Sequence, residues 1–325
     1  MNTVNTVRKE KHQLSRAAVQ QLIITLILAA VLIVMSILSD RFFRASNLLT
    51  VFRQATMVMV TGCGATLLMI AGHMDLSTGS TLAFCCVWYA QLAKTLPLGV
   101  AALLCILAGV LVGLVNGFCV TKLKITHFIA TMGTMYAIRG FAYIICNGIS
   151  VNSGLPKNFN NLGRGTLFGV IPYIVVIAVC MIALFLFIQK RTKLGKYSCA
   201  IGGNRTAAVL SGINADRIVM TLFIIVDALA AFCGVIMSSR LGAGDPNVST
   251  SFHFDVICAI VLGGTSLSGG EGSIIGMATG ALIIEFLNNG LNILGVQSFW
   301  QDVVKGFVLV LAVVLTRTLE RRFKK

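Results

Sequence analysis

Charged residues are scarce in this chain. They make up 11% of its 325 residues, against 57% hydrophobic, with a mean hydropathy of +0.90. A soluble domain carries about a quarter charged residues, so the polar surface here is too small to face water on every side, and lipid must cover much of it. Acidic residues are the fewest, 11 Asp and Glu against 26 Lys and Arg, for a formal net charge of +15. In a soluble protein that excess would suggest nucleic acid. Here the basic residues lie between apolar segments rather than among exposed aromatics, which is a membrane-orientation pattern and excludes nucleic acid as a partner.

Catalytic motifs are also lacking. There is no G-x-x-x-x-G-K-[ST] phosphate cradle, no G-x-S-x-G elbow and no H-E-x-x-H pair, so no catalytic residue is assigned and ATP has no evident site. His12, His73, His127 and His253 show no metal-ligand spacing, so no metal is assigned. No small-x-small cleavage pattern follows the first apolar run, which ends in Ser39-Asp40-Arg41-Phe42-Phe43. With Arg8, Lys9, Lys11 and Arg16 ahead of it, that run reads as an uncleaved first span. Of the ten cysteines, Cys63, Cys85, Cys86, Cys105, Cys146, Cys180, Cys233 and Cys258 sit in or beside apolar segments, where a thiol packs as a small hydrophobe.

What is present is a succession of apolar segments, near 21–39, 54–72, 78–93, 98–119, 125–146, 168–188, 218–238, 253–265, 273–288 and 299–316. A membrane-crossing helix needs roughly 20 residues, and these predict an all-α polytopic membrane protein of about ten transmembrane helices. An even count puts both termini on one side. The larger share of Lys and Arg, including the N-terminal cluster, Lys122, Lys124, the 189–217 loop and the tail, then falls on that side, which predicts cytoplasmic termini. The expected organisation is a cytoplasmic segment 1–20, a membrane domain 21–316 and a basic cytoplasmic tail 317–325. The basic inner loop 189–217 is either a solvated link or a docking surface for a cytoplasmic partner.

Two spans are interrupted by glycine-rich polar stretches, Ala71-Gly72-His73-Met74-Asp75-Leu76-Ser77-Thr78-Gly79-Ser80 and Leu262-Gly263-Gly264-Thr265-Ser266-Leu267-Ser268-Gly269-Gly270-Glu271-Gly272-Ser273. Backbone that leaves the helix at membrane depth is tolerated only inside protein or beside a water-filled cavity, so each break predicts an interior lining or a tight packed turn. The breaks fall in opposite halves, as in transporters with two related halves, and a five-plus-five duplication is compatible with this. Gly109, Gly113 and Gly117, and again Gly272, Gly276 and Gly280, recur at helical contact spacing and predict close helix packing, within a subunit or between subunits.

Asp75, Arg139, Asp227, Asp255, Glu285, Asp302 and Lys305 are charges in or at the ends of spans, none expected to face lipid. Pairing with one another or with backbone is the first expectation. For Asp75 and Asp255 it is capping of the following helix. With no ATP site in the chain, ions, a partner, or a downhill gradient would have to drive any solute.

Several strings resemble, in order and over nearly the whole chain, the membrane permease subunits of bacterial ATP-binding-cassette importers for monosaccharides, most of all the ribose type. They are Asp75-Leu76-Ser77-Thr78-Gly79-Ser80; Phe128-Ile129-Ala130-Thr131 with Arg139-Gly140; Val151-Asn152-Ser153-Gly154; Thr192-Lys193-Leu194-Gly195-Lys196-Tyr197 continuing to Ile201-Gly202-Gly203-Asn204 and Leu210-Ser211-Gly212-Ile213-Asn214; Val261 to Gly270; and Asn288-Asn289-Gly290-Leu291 to Val296. The chain departs from the family at Gly72-His73-Met74, Cys258 and Glu271. The resemblance implies a homodimer of such subunits in the bacterial inner membrane. It also implies a cytoplasmic ATPase holding ATP and Mg, a periplasmic or lipid-anchored sugar-binding protein, and a monosaccharide substrate, with no cofactor in this chain. It assigns coupling to the ATPase to Thr192, Gly195, Gly202, Gly203, Asn204, Ser211, Gly212 and Ile213. Candidate path or broken-helix residues are His73, Asp75, Ser77, Ser80, Asn116, Arg139, Asp255, Thr265, Ser266, Ser268, Asn288 and Asn289. An ion-coupled secondary sugar transporter is the alternative.

Overall fold

A computed structural model describes residues 16–297, 299–301, 303, 304, 306 and 307, with side chains from residue 24 onward. The chain is an all-α polytopic membrane protein. Helices α1 (Arg16–Leu38), α2 (Ala45–Ile70), α3 (Thr78–Leu92), α4 (Leu98–Thr121) and α5 (His127–Cys146) lead to a one-turn helix α6 (Asn161–Arg164) and a small hairpin of β1 (Thr166–Leu167) and β2 (Ile171–Pro172). Then follow α7 (Tyr173–Arg191), α8 (Lys193–Gly203), α9 (Arg205–Leu210), α10 (Ala215–Leu241), α11 (Phe252–Leu262) and α12 (Ile274–Ile293).

Among the described residues six helices are long and apolar enough to cross a membrane, namely α2, α4, α5, α7, α10 and α12, where the sequence predicts about ten. For two of the expected spans, α3 and α11, the shortfall has a physical cause. Helix α3 has 15 residues and α11 has 11, so at 1.5 Å per residue they rise only about 22 Å and 16 Å against a hydrocarbon core of about 30 Å. Both are cut short by the two glycine-rich interruptions. Asp302, Lys305, the N-terminal Arg8, Lys9 and Lys11, the tail and most of segment 299–316 lie outside the described residues. The sixth expected span starts later than predicted, at Tyr173 rather than 168. Phe168 and Gly169 carry positive φ at the hairpin tip, and Pro172 has no N–H with which to continue a helix backwards.

Helices α2 and α10 are buried along most of their length and form the centre, with α3, α4, α11 and α12 against them, while α5 and α7 expose most of their apolar surface at the rim. The glycine rows explain the closest packings, and both operate within the chain. A methyl group on Gly109 or Gly113 would collide with α10 backbone at Asp227 and Phe223, and one on Gly276 or Gly280 would collide with α11 carbonyls at Gly263 and Ala259. Lipid supplies no hydrophobic drive for helices to associate, so backbone proximity of this kind is what holds them. No disulfide joins the cysteines; seven are buried, and Cys180 is exposed on α7.

Candidate functional site

The first interruption opens where α2 ends. Gly72 turns the chain at φ +82°, a region that costs other residues dearly, and His73 sets a ring nitrogen 2.9 Å from the Ala71 carbonyl. Asp75 accepts the Ser77 N–H at 2.8 Å and its hydroxyl at 2.6 Å, so it caps the turn before α3 rather than the N–H groups of α3 itself. The fully buried Asp227 of α10 accepts from Thr81 at 2.8 Å and from Ser77 at 3.2 Å. Asn116 of α4 donates to Ser77 Oγ at 2.9 Å and to Asp227 Oδ2 at 3.1 Å, and its carbonyl accepts from Thr134 of α5 at 2.6 Å. Four helices are thus tied by one buried polar network, which satisfies groups that lipid could not. The sequence singles out Asp75, Ser77 and Asn116 as path candidates and Asp227 as a buried charge, expected first to be paired and otherwise pointing to the ion-coupled alternative, but not Thr81 or Thr134. Ser80 is buried on α3 beside this network.

Arg139 of α5 reaches the α10–α11 connection. It donates to the carbonyls of Pro246 at 2.7 Å and Val248 at 2.9 Å, and to Gly79 at 3.3 Å. A planar guanidinium with five donors suits such a ring of carbonyls. The expectation that Arg139 pairs with backbone describes this geometry.

At the same end of the bundle a polar cavity of about 290 Å3 opens between α2, α10, α11 and α12. Asp255 and Asn288 line it, with Gln54, Arg240, Glu285 and Asn292. Asn289 does not; it exchanges two amide hydrogen bonds with Asn47 of α2, at 2.8 and 2.9 Å, and clamps α12 to α2. Of the residues missing from the sequence assignment, Gln54 and Arg240 carry no local motif, and Asn292 lies in the family-like string from Asn288 to Val296 without having been singled out. Glu285 did carry a signal, an ionisable group inside a span.

The second interruption runs beside α8. Thr265 is buried, Ser266 Oγ accepts the Ser268 N–H at 3.3 Å, and Gly269 and Gly270 turn at φ +82° and +86°. Thr192 separates α7 from α8, Gly195 packs against the Gln189 backbone, and Gly202 lies against this interruption, whereas Gly203 is exposed. Burial, with Glu271 opposite, pushes the Cys199 thiol of α8 up. Asn204 caps α9 by accepting the Ala207 N–H at 3.0 Å, and Ser211, Gly212 and Ile213 close it. On the exposed side, Asp216 bridges Lys124 at 3.0 Å and Arg205 at 2.5 Å, along a groove that Val209, Gly212 and Ile213 also line. Among the described residues no group of three or more His, Cys, Asp or Glu side chains is placed to hold a metal.

Comparison with known proteins supplies the lineage. A sequence family described as "Branched-chain amino acid transport system / permease component" matches residues 47–313. The ribose import permease protein RbsC of Escherichia coli (strain K12) is 38% identical over 91% of this chain and 92% of its own length. The D-allose transport system permease protein AlsC of the same strain is 34% identical over 91% of each chain. The galactose/methyl galactoside import permease protein MglC of Haemophilus influenzae is 32% identical over 84% of this chain and 87% of its own. No solved structure matches. The chain belongs to the branched-chain amino acid transport system / permease component family, as an ABC-type sugar permease subunit of the ribose group.

Proposed function

We propose that the chain is one half of a homodimeric importer that passes ribose or a closely related monosaccharide into the cytoplasm. In this reading ten crossings are completed by α1, the short α3 and α11, and the apolar run 299–316, arranged as five plus five with both termini cytoplasmic. The α8–α9 segment then faces the cytoplasm and receives an ATPase, which holds ATP and Mg. A binding protein delivers sugar at the opposite end.

The observation that carries this reading is the polar cavity at that opposite end. Its volume of about 290 Å3 lies near the lower limit of small-molecule sites, roughly 300–1,000 Å3. Amides at Gln54, Asn288 and Asn292, carboxylates at Asp255 and Glu285, and the Arg240 guanidinium offer the donors and acceptors that a ring of hydroxyls needs. The three sugar permeases above support the substrate class.

The test is uptake of labelled ribose, allose and galactose by proteoliposomes holding the permease, its ATPase and its binding protein. Uptake that requires ATP and both partners is expected, and Asn288→Leu should raise the apparent KM about tenfold, as for one lost hydrogen bond to an uncharged group. Uptake by the permease alone, driven by a proton or sodium gradient, would overturn the proposal.

A further inference from the structure

Three segments far apart in sequence meet through backbone atoms at the α8 end of the bundle. They are the end of α2 at Ile70 to Gly72, the second interruption at Gly269–Gly270, and the end of α8 at Gly202–Gly203. The Gly270 N–H donates to the Ile70 carbonyl at 2.8 Å. A methyl group on Gly202 would collide with that carbonyl oxygen and come within 2.5 Å of the Gly270 nitrogen. One on Gly269 would lie 3.0 Å from both the Ile70 oxygen and the Gly72 nitrogen, and 3.1 Å from Gly202 Cα. A single carbonyl, left without an intrahelical partner at the end of α2, is therefore the common neighbour of both interruptions and of α8.

Gln189, near the end of α7, makes a second attachment. Its Nε2 donates to the Gly272 carbonyl at 2.8 Å and its Oε1 accepts the Ile274 N–H at 3.3 Å, so it grips the chain on both sides of Ser273, the cap of α12. Helix α8 thus meets the second interruption directly at its end and, near its start, by way of α7, since Gly195 packs against the Gln189 backbone.

We infer that this seam, Gly202 against Ile70 and Gly270 with Gln189 on Gly272 and Ile274, is the route by which displacement of α8 moves both helix interruptions together. Closely packed backbone has no side chain to flex and absorb a shift, so movement of α8 is passed on rather than damped. The inference rests on α8–α9 being the ATPase-facing segment, and it makes Gly202 and Gln189 positioning residues for the transport cycle.

The test uses the reconstituted complex with ATPase and binding protein, measuring sugar uptake, ATP hydrolysis and ATPase retained on the permease. Gly202→Ala inserts the clashing methyl group. Gln189→Glu keeps the acceptor and loses the donor. Gly99→Ala, at a site with nothing within 4 Å, is the control. Sugar moved per ATP should fall about tenfold in the first two variants, a usual size of coupling between linked sites, with ATPase retention unchanged and the control unaffected. Should Gly202→Ala fail to insert, Gln189→Glu alone decides. A ratio unchanged in Gln189→Glu, or one that falls only in step with lost ATPase, overturns the seam as the route. A wild-type complex that takes up no sugar with ATP would instead count against the proposed function.

Discussion

Asn116 holds its amide nitrogen 3.1 Å from Asp227 Oδ2, joining α4 to α10 three residues on from the Gly113 close approach. Asn116→Leu has similar bulk but neither donor nor acceptor. It leaves the buried Asp227 Oδ2 without the Asn116 donor, which costs about 1–3 kcal/mol, while the Thr134 hydroxyl keeps the Ala130 carbonyl. A lower melting temperature of the detergent-solubilised protein is expected, and an unchanged one would show that the network is not holding these helices.

The α4–α10 contact also predicts a pair of opposite outcomes. In Gly113→Ala the methyl group would lie 2.5 Å from the Phe223 oxygen and 2.6 Å from Ile224 Cα, forcing the helices apart at a cost of about 1–3 kcal/mol. Gly133→Ala on α5 meets nothing within 4 Å and, by restricting the unfolded chain, is neutral or stabilising by up to about 1 kcal/mol. Thermal unfolding of the two variants side by side should separate them by sign.

Arg139→Lys keeps the charge but not the planar fork. A lysine ammonium offers three donors at one point and cannot reach Pro246, Val248 and Gly79 together. Faster hydrogen exchange over residues 247–251 is expected in this variant, at unchanged expression. Wild-type protection there would mean that the carbonyls are held by something other than the guanidinium.

Leu210 at the end of α9 is 84% exposed, with Val209 beside it at 52%. If this surface receives the ATPase, Leu210→Asp should weaken co-purification of the ATPase about tenfold, as for loss of one well-packed interface anchor. Membrane insertion should be untouched, because the Leu210 side chain lies outside the buried core. Equal recovery of the ATPase from both permeases would move the docking surface elsewhere.

Much of this was legible in the sequence for a simple reason: lipid forces long apolar runs, and glycine-rich polar stretches within them have few ways to be satisfied. The starts of α3, α11 and α12 fall within one residue of the sequence boundaries. The start of α7 was not legible, since Phe168 to Ile171 are apolar yet form a hairpin whose turn depends on φ values that hydropathy does not encode. Partnership was the other blind spot. Gly113 announced a close approach but not that Phe223 would be opposite, and Asn289 was as polar as Asn288 although one faces Asn47 and the other the cavity. Which face of α12 meets α2 is decided by packing of whole helices, and a linear pattern carries no record of it.

Where Gly202 meets Ile70 and Gly270 the seam is written in main-chain atoms, whereas the outer face of α8–α9 is written in side chains. The two can therefore diverge at different speeds. If that face receives the ATPase, a lineage could re-specify Lys196, Arg205, Val209 or Leu210 to suit a new one while Gly202, Ile70 and Gly270 stay as they are, and engines could be exchanged between transporters without redesigning what they push.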